Sequence, residues 1–197
     1  LQGQLDLNYE KGYALSHNSN LNAFAYTVSL GNQTQIGYPT SQNVFGGIHT
    51  HPNTNNIIPM FSLQDIKALL EFAENYDNGT ESESSLPVHI LVTNSGVYAI
   101  KISDLNKLQQ LNNIYSNRRS RERFKRRLER MLGKFYNSMT DQLTGYASDY
   151  EKSFLKFITQ DYDLGISIFK SDNNLNSWSK LTLDSTNQNT IVQTGCD

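Results

Sequence analysis

The stretch IHTHPNTNNIIPMFSLQDI, residues 48–66, decides how this chain is read. Along a β-strand, side chains two apart share a face, so His49 and His51 point one way and Ile48 and Thr50 the other. Two imidazoles so placed can converge on one metal ion. Pro52 has no N–H for a sheet ladder, so the strand is predicted to stop just past the histidines and leave both rings at an open strand end. Ser62-Leu63-Gln64-Asp65 then opens a helix, with Ser62 as N-cap and Asp65 near the positive end of the helix dipole. Asp65 is also the only carboxylate between Glu10 and Glu71. It therefore suits a helix cap, a third metal ligand, or both at once.

Working outward, residues 4–10 (QLDLNYE) alternate apolar and polar with Leu5, Leu7 and Tyr9 on one face, which predicts a first strand. His17-Asn18-Ser19-Asn20 reads as a turn. Phe24, Tyr26, Val28 and Leu30 alternate again before Gly31-Asn32 turns the chain. Val44 to Ile48 leads into His49, and Gly46-Gly47 there lets something approach the backbone closely. From Ser62, Ile66, Leu69, Leu70 and Ala73 fall on one helical stripe that is expected to end near Asn78-Gly79. Val88–Thr93 and Val97–Ile102 read as strand, tight turn, strand. Residues 1–102 thus predict an α/β (α+β) sheet domain. His89 lies in a buried-looking strand and reads as a hydrogen-bonded core residue; His17 falls in the turn.

Residues 103–197 read as a helical extension with C-terminal strands, packed on that core. Ser103 or Asp104 caps a helix carrying Leu105, Leu108, Leu111 and Ile114. A second helix carries Phe124, Leu128, Leu132 and Phe135, and a third Phe154, Leu155 and Ile158. Strand patterns return at Ile166–Phe169, Trp178–Leu183 and Ile191-Val192.

GGIHTHP followed by Ser-x-x-Asp resembles the motif of the JAMM (JAB or MPN-plus) zinc metalloproteases. The resemblance covers about residues 5–102 and is carried by the motif. It implies a JAB/MPN-like, cytidine-deaminase-like mixed sheet flanked by helices. It implies zinc held by His49, His51 and Asp65, with Ser62 stabilising an oxyanion. It also implies a glutamate base about 40 residues upstream, and Glu10 in Tyr9-Glu10-Lys11-Gly12 is the only glutamate before residue 71. The plain alternative for Glu10 is a solvated strand-end carboxylate. Members of the family cut peptide or isopeptide bonds, and related domains occur as toxin or effector modules in long bacterial proteins. The loop departs from the pattern: ten residues, Pro52 to Phe61, separate His51 from Ser62, where the family has about seven. A longer loop closes at small entropic cost.

Other zinc chemistries are disfavoured. There is no His-Glu-x-x-His, and a single cysteine, Cys196, cannot supply a deaminase site or a disulfide. The net charge of −2 gives no nucleic-acid footprint. No run is long and apolar enough to span a membrane. The chain begins at Leu1, not Met, and reads as a segment of a longer protein, so localisation is not legible. Two matches to the N-glycosylation pattern, at Asn32 and Asn78, are expected by chance in so Asn-rich a chain. RRSRERFKRRLER, residues 118–130, gathers eight of the 17 basic residues. It is either a solvated amphipathic helix or a docking face for an acidic partner. The expected function is hydrolysis of a protein or peptide substrate. The alternatives are a non-catalytic binding or scaffold module and a metal-dependent nuclease. What discriminates them is whether Glu10 points into the metal site.

Overall fold

A computed structural model describes residues 3, 5–18, 23–31, 36–39, 41–53, 57–76, 86–134, 136–137, 142–172 and 174–196. The Asn32 and Asn78 glycosylation matches, residues 54–56 of the long loop, Phe135 and the expected helix end at Asn78-Gly79 lie outside these residues.

β1 (Lys11–Asn18) and β2 (Ala23–Leu30) form a hairpin, and β3 (Val44–Thr50) pairs antiparallel with β1. β3 then crosses over through α1 (Leu63–Asn75) to β4 (Val88–Thr93), and these two strands are parallel. A parallel pair needs such a crossover, which lays the helix across the sheet and brings its first turn above the end of β3. β5 (Gly96–Ile102) returns antiparallel to β4. Then come α2 (Leu105–Ser116), α3 (Arg118–Gly133), a two-residue ladder of β6 (Tyr136–Asn137) with β7 (Gln142–Leu143), and α4 (Ala147–Lys156). A π-helical turn (Phe157–Asp161) extends α4. β8 (Ile166–Ser171), β9 (Trp178–Leu183) and β10 (Ile191–Gly195) join the main sheet through β5. The result is a mixed α/β architecture: an eight-stranded sheet in the order β10-β9-β8-β5-β4-β3-β1-β2, flanked by four helices.

One apolar cluster runs from Met60 to Leu181, and a smaller one, Ala14, Val44 and Phe72, lies between β1, β3 and α1. Ile66, Leu69 and Leu70 of α1 meet Leu91, Tyr98 and Ile100 of the sheet, then Leu108 and Leu111, Phe124, Leu128 and Leu132, Phe154 and Ile168. Burying each large apolar side chain contributes about 1.5–3 kcal/mol. The segment after residue 103 therefore shares both its sheet and its core with the segment before it. α1 packs on β3, β4 and β5, while α3 reaches the sheet through α4 and α2. A buried carboxylate, Glu151, fastens α4 to the sheet. It accepts from Tyr98 Oη and from Lys170 Nζ, each at 2.8 Å.

Three expectations are corrected. Residues 5–9 are turns and bends, not a strand; burial does alternate along them, but among the described residues no strand pairs with them, and Leu5 instead accepts from the Asn53 N–H at 2.7 Å. His17 lies in β1, not in a turn, with its ring stacked on Phe24 at 4.6 Å between centroids. α1 ends at Asn75, earlier than expected: the Tyr76 N–H still bonds the Phe72 carbonyl, but Tyr76 itself is extended (ψ 116°), and the Asn75 side chain donates to the Glu71 carbonyl.

Candidate metal centre

β3 presents His49, and His51, the residue just past its end, turns to the same face, with ring centroids 5.0 Å apart. The rings are not at an open strand end. His49 is fully buried and His51 is 7% exposed, because α1 and the loop before it cover them. Thr50 points the other way, and its hydroxyl accepts from the Lys11 N–H at 3.1 Å and donates to the Lys11 carbonyl at 3.3 Å. That clamp fixes the start of β1 and with it Glu10, one residue earlier. Gly12 sits opposite His49 in the ladder, where a Cβ would run into the Ile48 carbonyl, so only glycine lets β1 come this close. Glu10 is buried, with Oε1 3.9 Å from His51 Nε2. The solvated alternative for Glu10 does not describe it.

The first turn of α1 supplies the rest. Ser62 and Asp65 form a capping box: Asp65 N–H donates to Ser62 Oγ at 3.3 Å, and Ser62 N–H donates to Asp65 Oδ2 at 2.6 Å. Capping does not use up the carboxylate. Asp65 Oδ1 stands 3.2 Å from His49 Nε2, and Oδ2 stands 3.8 Å from His51 Nε2. Cap and candidate ligand are thus the same side chain.

The two histidines differ in what holds them. His51 Nδ1 donates to the Ile58 carbonyl at 2.9 Å, which leaves the Nε2 lone pair facing Asp65 and Glu10. Neither nitrogen of His49 makes a well-aligned hydrogen bond, although both are buried; the acceptors near them are the Asp65 carboxylate and the Ile90 backbone. The 3.2 Å approach to Asp65 is an ion-pair distance without hydrogen-bond alignment. Buried polar atoms are rarely left so. Two imidazole nitrogens and a carboxylate oxygen, one of the nitrogens otherwise orphaned, are a donor set that fits a zinc ion.

His89 and Tyr38 complete the surroundings. His89 packs against His49 with ring centroids 4.8 Å apart, and ligand atoms of His49, Asp65 and His89 lie within 4.8 Å of one another. Both nitrogens of His89 are nevertheless engaged. Nδ1 donates to the Asp65 carbonyl at 2.9 Å, and Nε2 faces Tyr38 Oη at 3.1 Å. His89 therefore orients Asp65, and His51, with its free Nε2, is the better third donor. Tyr38 lies flat over Gly47, where a Cβ would come within 2.6 Å of the ring; this is the close approach the glycines allow. The reading of His89 as a hydrogen-bonded core residue fits its partners but misses its place beside His49. Nothing in the sequence singles out Tyr38. The one available signal for His89 is a lone polar side chain inside the apolar run Val88–Val92, which must find partners.

Electrostatics separates the groups. Burial, with a smaller push from Asp65 and against the pull of His49, raises the Glu10 carboxyl to about 7. Burial, then the charge of His49, lowers His51 and His89 to about 4 each. Burial opposes the charged forms of Asp65 and His49, but their mutual attraction outweighs it, holding Asp65 well below the usual carboxylate range and His49 above its ordinary value. The protein groups alone thus favour an ionised Asp65 and a neutral His51, the states a metal needs, whereas His49, drawn towards its charged form by Asp65, would release a proton to a bound metal. They also present a carboxyl poised to exchange a proton.

α3 keeps Phe124, Leu128 and Leu132 buried and most of its arginines exposed. Arg127 is tied to Asp161 by two hydrogen bonds of 2.8 and 3.1 Å. Among the described residues no helix is long and apolar enough to cross a membrane. Comparison of the chain with protein-family models, curated proteins and solved structures gives no match.

Proposed function

We propose that this protein is a zinc-dependent metallopeptidase or isopeptidase of the JAMM type, with a JAB/MPN-like core. His49, His51 and Asp65 would hold the metal. The observation that carries the reading is Glu10: a buried carboxylate with Oε1 3.9 Å from His51 Nε2, the same nitrogen that Asp65 Oδ2 approaches to 3.8 Å. A scaffold module gains nothing from burying such a group, whereas hydrolysis needs it. Zinc in such a donor set supplies a Lewis acid that polarises the scissile carbonyl and makes water nucleophilic at neutral pH.

The chain's own residues do the rest. Glu10 takes the proton of the attacking water on Oε1 and returns it to the leaving amine. Ser62 Oγ accepts from the Asp65 N–H, so its own O–H is free to donate to the developing oxyanion. His51 is fixed in one tautomer by Ile58, and Asp65 is fixed by the cap and by His89. Hydrogen bonds of this kind keep donor atoms aimed without further ordering.

The test is metal content together with hydrolysis. Purified protein is expected to carry about one zinc per chain, and His49→Ala with His51→Ala to carry none by elemental analysis. Zinc-loaded protein is expected to cleave members of a peptide and isopeptide library. Equal metal in both proteins sinks the assignment of ligands; full metal with no cleavage in any member sinks the hydrolase reading.

A further inference from the structure

Glu10, His51 and Ser62 form one wall of a pocket of about 410 Å³, within the usual range for ligand pockets, about 300–1,000 Å³. Its floor is apolar. Met60 and Phe61 come from the loop that follows the histidines, and Leu128 and Leu132 come from α3; all four are buried. Ile57, half-buried, forms the outer wall. At the rim Lys125 and Glu129 pair at 3.7 Å, so the entrance has no net charge to recruit a charged side chain. On the other side of Glu10 and Ser62 lies a second pocket of only about 150 Å³, between Tyr38 and His89. Gln64, exposed on the first turn of α1, borders both.

From this asymmetry we infer that the larger pocket is a specificity subsite for a large apolar side chain, of the leucine, methionine or phenylalanine class, on a substrate residue flanking the bond that is cut. The inference rests on the hydrolase reading and names its substrate class. The pocket shares its wall with the groups that would act, so a side chain seated in it holds the neighbouring carbonyl against Ser62 and Glu10. The smaller pocket is lined mostly by polar and titratable groups, Glu10, Ser62, Gln64, Asp65 and His89, which an apolar side chain would strip of solvent without replacing its hydrogen bonds, so the preference applies to one side of the bond only. The subsite also accounts for two features left over from the motif. The longer loop carries Ile57 and Ile58, which wall the pocket while Ile58 holds His51. α3, outside the motif-bearing segment, supplies the opposite wall.

The experiment has two arms. Zinc-loaded protein is offered blocked peptides in which each residue flanking the scissile bond is Gly, Ala, Leu, Met, Phe, Asp or Lys. At one position Leu, Met or Phe is expected to raise kcat/KM over Gly by about 10- to 100-fold, the discrimination an apolar pocket gives. Ile57→Asp should abolish that advantage with zinc content unchanged. In the second arm, Glu10→Gln protein with methyl-labelled methionine is titrated with blocked tetrapeptides, and the Met60 methyl signal is followed by NMR. Leu- or Phe-containing peptides are expected to shift it, and tetraglycine is not. Cleavage without apolar preference, or a Met60 signal indifferent to the side chain, overturns the subsite while leaving the hydrolase reading intact. Selective binding with no cleavage by the wild type upholds the pocket and sinks the hydrolase instead.

Discussion

Replacing Glu10 by Gln separates what this carboxylate does for catalysis from what it costs the fold. Its pKa is about 7 in the folded protein against an ordinary 4.5. Below pH 4.5 the group is protonated in both folded and unfolded chains, and its burial carries no ionic penalty. Between 4.5 and 7 the unfolded chain ionises while the folded one keeps its proton, so stability falls as pH rises. Above 7 both are ionised, and the accumulated loss is the whole difference between the two pKa values, about 3 kcal/mol at 1.36 kcal/mol per unit. Glutamine keeps the shape and never ionises.

In the presence of a chelator, Glu10→Gln is therefore expected to match the wild type near pH 4.5 and to exceed it by about 2–3 kcal/mol at pH 8. Urea unfolding followed by the fluorescence of Trp178 at the two pH values reads the difference directly. His51 and His89 run the opposite way, each held neutral in the fold down to about 4, and they contribute stability as pH rises towards 6.5. They are present in both proteins and largely cancel in the comparison. Saturating zinc brings positive charge beside Glu10, favours its ionised form and shrinks the gain. Peptide hydrolysis by the variant should fall by roughly 10²–10⁴-fold with zinc retained. A variant no more stable than wild type at pH 8 would refute the claim that Glu10 carries a buried charge.

Ser62→Ala removes the cap acceptor of α1 and the free hydroxyl together: thermal melts should show a loss of about 1 kcal/mol, and kcat should fall by about 10²–10³-fold with zinc content unchanged. His89→Ala should weaken zinc binding about 10- to 100-fold in a chelator competition, whereas His51→Ala should abolish it; the reverse order would make His89 the ligand. Charge reversal at Arg123 and Arg126, which leaves the Arg127–Asp161 pair intact, should weaken binding of a polyglutamate peptide, more so at low salt. It should leave turnover of small peptides unchanged.

What the sequence makes legible is whatever depends on local period and short-range chemistry. The strand run of Val88–Thr93 ended by its tight turn, the stripe of Ile66, Leu69 and Leu70, and the cap at Ser62 each follow from neighbours a few residues away, and each appears where expected. His49, His51, Ser62 and Asp65 belong to one strand–loop–helix unit, so their convergence is local too. Long-range partners are another matter. That Leu5 bonds Asn53 rather than pairing in a strand depends on what lies alongside, which period two does not report. His89 and Tyr38 reach His49 and Asp65 only because parallel pairing of β3 with β4 sets Gly47 beside His89, and no spacing encodes that register. The pocket wall from α3 depends on the packing of four helices and is equally invisible in the chain order.

The same contacts explain why so costly a site can persist without unfolding the protein. Two buried histidine nitrogens without hydrogen bonds and a carboxyl pushed towards neutrality all lie within one strand, one helix turn and the residue before β1. β3 and β1 do not depend on the site for their hydrogen bonds, since β3 is laddered on both sides and the start of β1 is clamped by Thr50, while the helix turn is capped by Ser62 and by an Asp65 that still has an oxygen facing His49. The scaffold therefore holds the donors in place whether or not they are satisfied. A ligand that satisfies them returns its binding free energy to the fold by mass action. Zinc is accordingly expected to raise the unfolding midpoint of the wild type, and to leave that of His49→Ala with His51→Ala where it was.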